Sequence, residues 1–406
     1  MNGRGLRGQP GQDSWTVRTV RFGSPDDGKA ERLGVPNEPA LASRIIGADE
    51  VTQVEAKAHA NTVVALCGRL AATKVSPMEI RPVGASGLQV SRLGLGTMTW
   101  GRDTTADHAR ALLETFCDAG GNLIDTAAAY GAGDSERLVG ELVGRLGVRE
   151  DMVIATKAGF VIRNGQRIVD TSRRALLRDL VASLRRLATE YVDIWQIHAW
   201  GSAPLEESLS AVDHAVSSGM ARYAGISNFV GWQTAQAATW QRAFPGRTPI
   251  ISAQVEYSLL ARRAEVEVLP AVSAFGMGFF PWSPLGRGVL SGQYRTGTPR
   301  GSRAATDHFA WFVEPYLEQR SRGVVEAVVR AADGLELTPL QVALLWVRDA
   351  PGVTAPLLGA RTAGQLAPAL AVEDQTLPDE IATALDDVSG GPHTGRLQAE
   401  PKRESS

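Results

Sequence analysis

The sequence predicts an α/β protein, a (β/α)8 TIM barrel with a short N-terminal β-hairpin and flexible extensions at both ends. Three observations carry this expectation. From about residue 93 onward, strand-like apolar runs alternate with amphipathic helical runs. Eight such units fill roughly 300 residues, the usual size of this barrel with insertions. The strands also end in polar residues, which a barrel gathers on one rim. Alternation alone equally permits an open doubly wound sheet. The nearest dinucleotide-binding fingerprint is Gly286-Arg287-Gly288-Val289-Leu290-Ser291-Gly292. Its third glycine falls one position late, and it follows the seventh strand instead of the first.

A β pattern begins at Met78 with MEIRPVGASGLQVSRLGLG, in which 84–87 reads as the turn of a hairpin. Residues 93–96 form the first strand, and 105–119 an amphipathic helix opened by Thr-Thr-Ala-Asp. The second strand is 122–125 (NLID), followed by a helix over 135–146 with Ser135 as its expected N-cap. Strands at 152–157, 192–198, 221–226 and 250–255 are followed by helices at 172–187, 205–218, 232–243 and 264–275. The seventh strand, 278–282 (GFFPW), leads into a Gly- and Arg-rich excursion over 286–318. Helices at 322–332 and 339–348, a last strand at 353–358, and helices at 363–370 and 378–388 complete the pattern.

The chain divides into an extension at 1–77, a barrel at 78–389 and a solvated tail at 390–406. The extension is rich in Gly, Pro, Arg and Ala, has little periodicity and is expected to be disordered or dispensable, with Met78 as the natural start. Of 406 residues, 44% are hydrophobic and 21% charged, which excludes global disorder. The net charge of −2 gives no field favouring nucleic acid or an anionic membrane. Two cysteines, Cys67 and Cys117, form no close-spaced motif, against a disulfide-stapled fold or a thiolate zinc site. With neither an apolar leader region nor a membrane-length run, a cytoplasmic protein is expected.

Chemistry concentrates at the strand ends. Asp125 closes the second strand, with Tyr130 in the loop beyond; Lys157 closes the third and His198 the fourth. A Lys or His ending an apolar strand has a buried stem and needs partners. Asp125 and Lys157 lie on neighbouring strands and can pair, with Tyr130 beside them. Free tyrosine has a pKa of about 10, and a nearby ammonium favours the phenolate. Such a group can protonate a carbonyl oxygen that His198 orients, provided a reduced cofactor delivers the hydride. A metal-dependent hydrolase would need several His and carboxylate ligands. Only His198 and Asp125 qualify, so no metal is expected.

Asp125, Tyr130, Lys157 and His198, in that order, resemble the tetrad of the aldo-keto reductase family. Flanking segments are similar too: LGLGTMTWG at 93–101, IDTAAAYGAGDSERLVG at 124–140, YVDIWQIHAW at 191–200, GISNF at 225–229, WSPLGRGVLSG at 282–292 and GARTAGQL at 359–366. The resemblance spans about 79–389. It implies a (β/α)8 barrel and NADP(H)-linked reduction of aldehydes or ketones, with the cofactor extended over the rim. On that resemblance Tyr130 is the general acid, Lys157 and Asp125 its tuning pair, and His198 orients the substrate. Ser227, Asn228 and Gln254 hold the carboxamide, Trp282 stacks on the nicotinamide, and Thr97 and Met98 line its pocket. Ser283, Pro284, Leu285 and Gly288 wrap the pyrophosphate, and Arg303 closes over it. Gly359, Arg361 and Gln365 meet the adenosine end. Where the family often carries Glu and Asn, this chain has Pro368 and Ala369, so two adenine hydrogen bonds do not carry over.

Trp100, Trp200 and Phe229 are expected to line the substrate pocket; Phe309, Trp311 and Phe312 are equally balanced between lining and loop packing. Such a pocket suits aromatic or medium aliphatic carbonyls. The other reading of the chain is a cofactor-binding redox sensor or regulatory subunit, as the potassium-channel beta subunits of that family are. The substrate, the reaction direction and the oligomeric state are not legible in the sequence.

Overall fold

The computed structural model describes residues 77–163, 166–306 and 308–390. The expected N-terminal extension and C-terminal tail, apart from residues 77 and 390 at their inner edges, lie outside the described residues.

Two short strands, β1 (Ile80–Pro82) and β2 (Gln89–Ser91), form the antiparallel hairpin, with Ile80 opposite Ser91. The barrel strands are β3 (Gly94–Gly96), β4 (Leu123–Asp125), β5 (Val153–Ala158), β8 (Val192–Ile197), β9 (Ala221–Ser227), β10 (Ile250–Glu256), β11 (Gly278–Trp282) and β12 (Leu357–Gly359). They close in that order, every neighbour parallel. Between β5 and β8 the chain makes a second antiparallel ribbon, β6 (Phe160–Arg163) and β7 (Gln166–Val169), outside the barrel wall.

The two-residue period of a strand divides the barrel into an inside and an outside. Leu123, Val153, Ala155, Ile194 and Phe280 join one apolar cluster with Val83 and Val90 of the first hairpin. The intervening residues Ile124, Ile154, Trp195 and Phe279 belong to a separate, larger cluster with the helices. The inner cluster fills the barrel from its N-terminal end, where β1–β2 plugs the opening. Continuing the inward alternation toward the C-terminal ends reaches Asp125, Lys157, Gln196, His198 and Trp282. The strand period therefore delivers the polar residues to one end of the core.

The helices fall close to their expected positions, including Ala106–Asp118 and Arg173–Leu187, whose caps Thr105 and Ser172 accept from backbone N–H groups. Two expectations are corrected. The helix after β4 is Asp134–Leu146, with Gly133 at the cap position, so Ser135 is not its N-cap. Ser135 is wholly buried, with its hydroxyl turned to the strand ends. The last strand does not run over 353–358. Val353 makes only an isolated bridge to Phe279, and ladder pairing begins at Leu357, because Pro356 has no N–H to donate. Among the described residues no helix is long and apolar enough to cross a membrane.

Candidate active site

Asp125, at the end of β4, and Lys157, in β5, meet inside the barrel mouth. Lys157 is fully buried, and its ammonium donates to Asp125 Oδ2 at 2.7 Å, the Thr126 carbonyl at 2.8 Å and Tyr130 Oη at 3.2 Å. An ammonium has three donors, so this set satisfies it. Burial alone would lower its pKa; the charge and hydrogen bonds of Asp125 and Tyr130 outweigh that, and the net shift is upward. The second oxygen of Asp125 accepts from Gln254 Nε2 at 2.8 Å, a partner absent from the sequence expectation.

Tyr130 sits on a tight turn, Tyr130–Gly133, and its ring lies edge-on to that of His198, with centroids 6.0 Å apart. Phe160 also packs against His198, centroids 4.5 Å apart and planes 72° inclined. The imidazole thus meets two aromatic rings at the cavity wall, and its backbone carbonyl accepts from Asn228 Nδ2 at 2.9 Å. Asn228 has φ of 57° and also accepts from Trp282 Nε1 at 2.9 Å. One amide therefore ties together the ends of β8, β9 and β11.

A cavity of about 760 Å3 opens on this group. All fourteen residues that the resemblance assigns to cofactor contact line it: Thr97, Met98, Ser227, Asn228, Gln254, Trp282, Ser283, Pro284, Leu285, Gly288, Arg303, Gly359, Arg361 and Gln365. Asp125, Tyr130 and His198 line it as well, with Lys157 behind them. Ser283, Gly286, Arg287 and Gly288 all have positive φ, and the resulting tight coil skirts the cavity beside Trp282. Arg303 comes so close to Gly359 that a Cβ there would meet its guanidinium at 3.0 Å. Burial and the neighbouring Arg361 both push the Arg303 pKa down. Two cations side by side on a cavity wall, next to a glycine backbone, suit a phosphate group. The donor set along the cavity thus fits a dinucleotide. At its far end Ala369 lines the wall, and the Pro368 carbonyl accepts from Gln341.

The three aromatics expected at the substrate pocket lie elsewhere. Trp100 is fully buried in the outer core, because the turn after β3 folds its backbone back onto Thr97 and Thr104. Phe229 and Trp200 stack edge-on at 5.2 Å, and Trp200 does the same with Trp232, so these rings fill one another's space. Phe309, Trp311 and Phe312 do line the cavity, joined by Phe160, Val161, Arg102, Arg287 and His308. Arg287 grips Glu256 through two contacts of 2.8 Å and lies 3.9 Å from the Phe312 ring centroid. His308 bonds Asp103 at 2.9 Å, and Arg102 lies over Phe309 at 4.5 Å. The excursion after β11 is therefore fastened to the rim at two places. The β6–β7 ribbon carried a readable signal, since FVIR and QRIV flank Asn164-Gly165, the dipeptide most typical of a two-residue hairpin.

A closed (β/α)8 barrel with an Asp–Lys–Tyr–His group and a cavity of about 760 Å3 at its C-terminal mouth is that of a barrel oxidoreductase. Comparison with known proteins makes this specific. The sequence model of the Aldo/keto reductase family matches residues 92–389, and the chain belongs to that family of nicotinamide-dependent oxidoreductases. Among curated relatives it is similar to the Uncharacterized oxidoreductase YrpG of Bacillus subtilis (strain 168), 36% identical over 330 residues, which covers 78% of this chain and 97% of the relative.

Proposed function

We propose that this chain reduces an aldehyde or ketone to an alcohol with NADPH. The observation that carries the reading is the Tyr130 hydroxyl on the cavity wall, 3.2 Å from a buried Lys157 ammonium that Asp125 holds at 2.7 Å. When bound, the reduced nicotinamide supplies the hydride. His198 orients the carbonyl oxygen toward Tyr130, which donates its proton to that oxygen. The ammonium stabilises the phenolate left behind, and does so strongly because the site is screened from water. Asp125 keeps Lys157 charged throughout. Trp282 presents one face for the nicotinamide, and Ser227, Asn228 and Gln254 provide amide and hydroxyl groups for its carboxamide.

Arg361 supports NADP(H) over NAD(H), since only the former carries a further phosphate at its adenosine end, whereas the pyrophosphate under Arg303 is common to both. Phe160, Phe309, Trp311 and Phe312 favour apolar, and especially aromatic, carbonyl compounds. A cytoplasmic location, with neither nucleic acid nor membrane as partner, belongs to the same proposal. The test is NADPH oxidation over a panel of aldehydes, ketones and quinones, with Tyr130→Phe beside the wild type. Turnover that Tyr130→Phe nearly abolishes, with binding intact by Trp fluorescence, is expected. NADPH binding without turnover of any carbonyl would overturn the proposal in favour of a sensor.

A further inference from the structure

The turn that carries Tyr130 is strained. Gly131, Ala132 and Gly133 follow one another at φ of 54°, 54° and 97°. Left-handed backbone at a residue with a Cβ, as at Ala132, is unfavourable and persists only where its surroundings fix it. Immediately after the turn stand two fully buried polar residues, Ser135 and Glu136. The Ser135 hydroxyl donates to the Thr97 carbonyl at 2.8 Å and lies 2.8 Å from Thr97 Oγ1 and 3.0 Å from Thr126 Oγ1. Thr97 in turn donates to the Asp125 carbonyl at 3.0 Å, and the Thr126 carbonyl accepts from Lys157. Glu136 accepts from Thr156 Oγ1 at 2.5 Å and pairs with Arg186 at 2.6 Å. Thr156 is the residue before Lys157, pointing out of the barrel where Lys157 points in. Arg186 also packs on Gly133, where a Cβ would meet its stem at 2.5 Å.

We propose that Ser135 and Glu136 are positioning residues that stitch the Tyr130 turn to the ends of β3, β4 and β5 and so set its hydroxyl against Lys157. The inference rests on Tyr130 acting as the proton donor. Ser135 touches Asp125 and Lys157 only through Thr97 and Thr126. Glu136 touches Lys157 only through the strand that both share. Without either tether the strained turn relaxes and the hydroxyl drifts from the ammonium.

The experiment is a double-mutant cycle with NADPH and a nitrobenzaldehyde. Ser135→Ala, and separately Thr156→Val, which removes the donor to Glu136 while leaving its pair with Arg186, should lower kcat roughly ten- to a hundredfold, as an ångström-scale misplacement does. The KM for NADPH should stay within about twofold, and melting should show both variants folded. In a Tyr130→Phe background the same substitutions should cause no further loss of residual rate. A shift of the alkaline fall of the kcat profile to higher pH, because a tyrosine displaced from the ammonium keeps its proton longer, is a second expected signature. An unchanged kcat in both single variants, or a loss equally large in the Tyr130→Phe background, overturns the positioning role. A Tyr130→Phe protein with wild-type turnover instead overturns the proton-donor reading, so the two failures are distinct.

Discussion

Replacing Asp125 by Asn isolates what the carboxylate does for the fold. The substitution keeps the shape but removes the charge that compensates Lys157, whose ammonium has no exposure to water. It also removes an acceptor: Asp125 accepts Lys157 on one oxygen and Gln254 on the other, and an amide can match only one of these without Gln254 turning its own amide over. Breaking a buried ion pair from one side costs about 3–5 kcal/mol. Lysine has a limit of its own, because shedding its proton at pH 7 costs about 4.6 kcal/mol from a free pKa near 10.4. The two figures agree. At about 2 °C per kcal/mol for a domain of this size, Tm should fall by about 6–10 °C in a thermal melt followed by circular dichroism. Asp125→Asn combined with Lys157→Met buries no charge and should recover most of that loss. A single variant that melts within about 1 °C of wild type, or a double variant no more stable than the single, would refute the argument.

The Arg361→Ala protein should show a KM for NADPH raised about tenfold, the value of a charge-assisted hydrogen bond, with the KM for NADH nearly unmoved; equal losses with both cofactors would make Arg361 structural. The raised pKa of Lys157 fixes the sign of a pH effect. Its stabilisation is complete below the free-lysine value and is lost as pH rises through the higher folded value. Urea unfolding at strongly alkaline pH should therefore weaken the wild type more steeply than Lys157→Met, and parallel curves would contradict this. A chain beginning at Met78 should retain folding and turnover, since Met78 is itself buried and its N–H donates to the Ala119 carbonyl at 3.2 Å; a large drop in Tm would assign a packing role to the preceding residues.

Strand periodicity and polar strand ends made the barrel, and the gathering of Asp125, Lys157 and His198 at one end of it, readable, because both depend on residues close in sequence. Asp125, Lys157 and His198 each close an apolar strand, and the inward alternation that places them is written in residues two apart. Pairings beyond neighbouring strands were not legible. Nothing in the sequence around Gln254 says that it reaches Asp125, 129 residues away. The aromatic assignments failed at Trp100, Trp200 and Phe229 for a related reason. Residue type marks a large apolar ring, whereas the curl of the turn after β3 and the mutual stacking of the other two rings decide which way it faces. Ser135 misled because a serine before a helical run reads as a cap, and only the packed structure shows its hydroxyl spent on Thr97. The β6–β7 ribbon was readable from local rules, but it breaks the strand–helix alternation on which the fold expectation was built.

Among the described side chains of the β6–β7 ribbon, those of its first residues, Phe160 and Val161, line the cavity. β5 pairs directly with β8, so the wall of the barrel closes without it, and its ladder hydrogen bonds are internal. It is therefore a cassette. Changing it beyond Phe160 alters what the cavity admits, while Phe160 keeps its contact with His198 and the barrel keeps its wall. Selection for a new substrate has in this ribbon a segment on which to act at little cost to folding, and a library confined to residues 161–169 is the corresponding laboratory route.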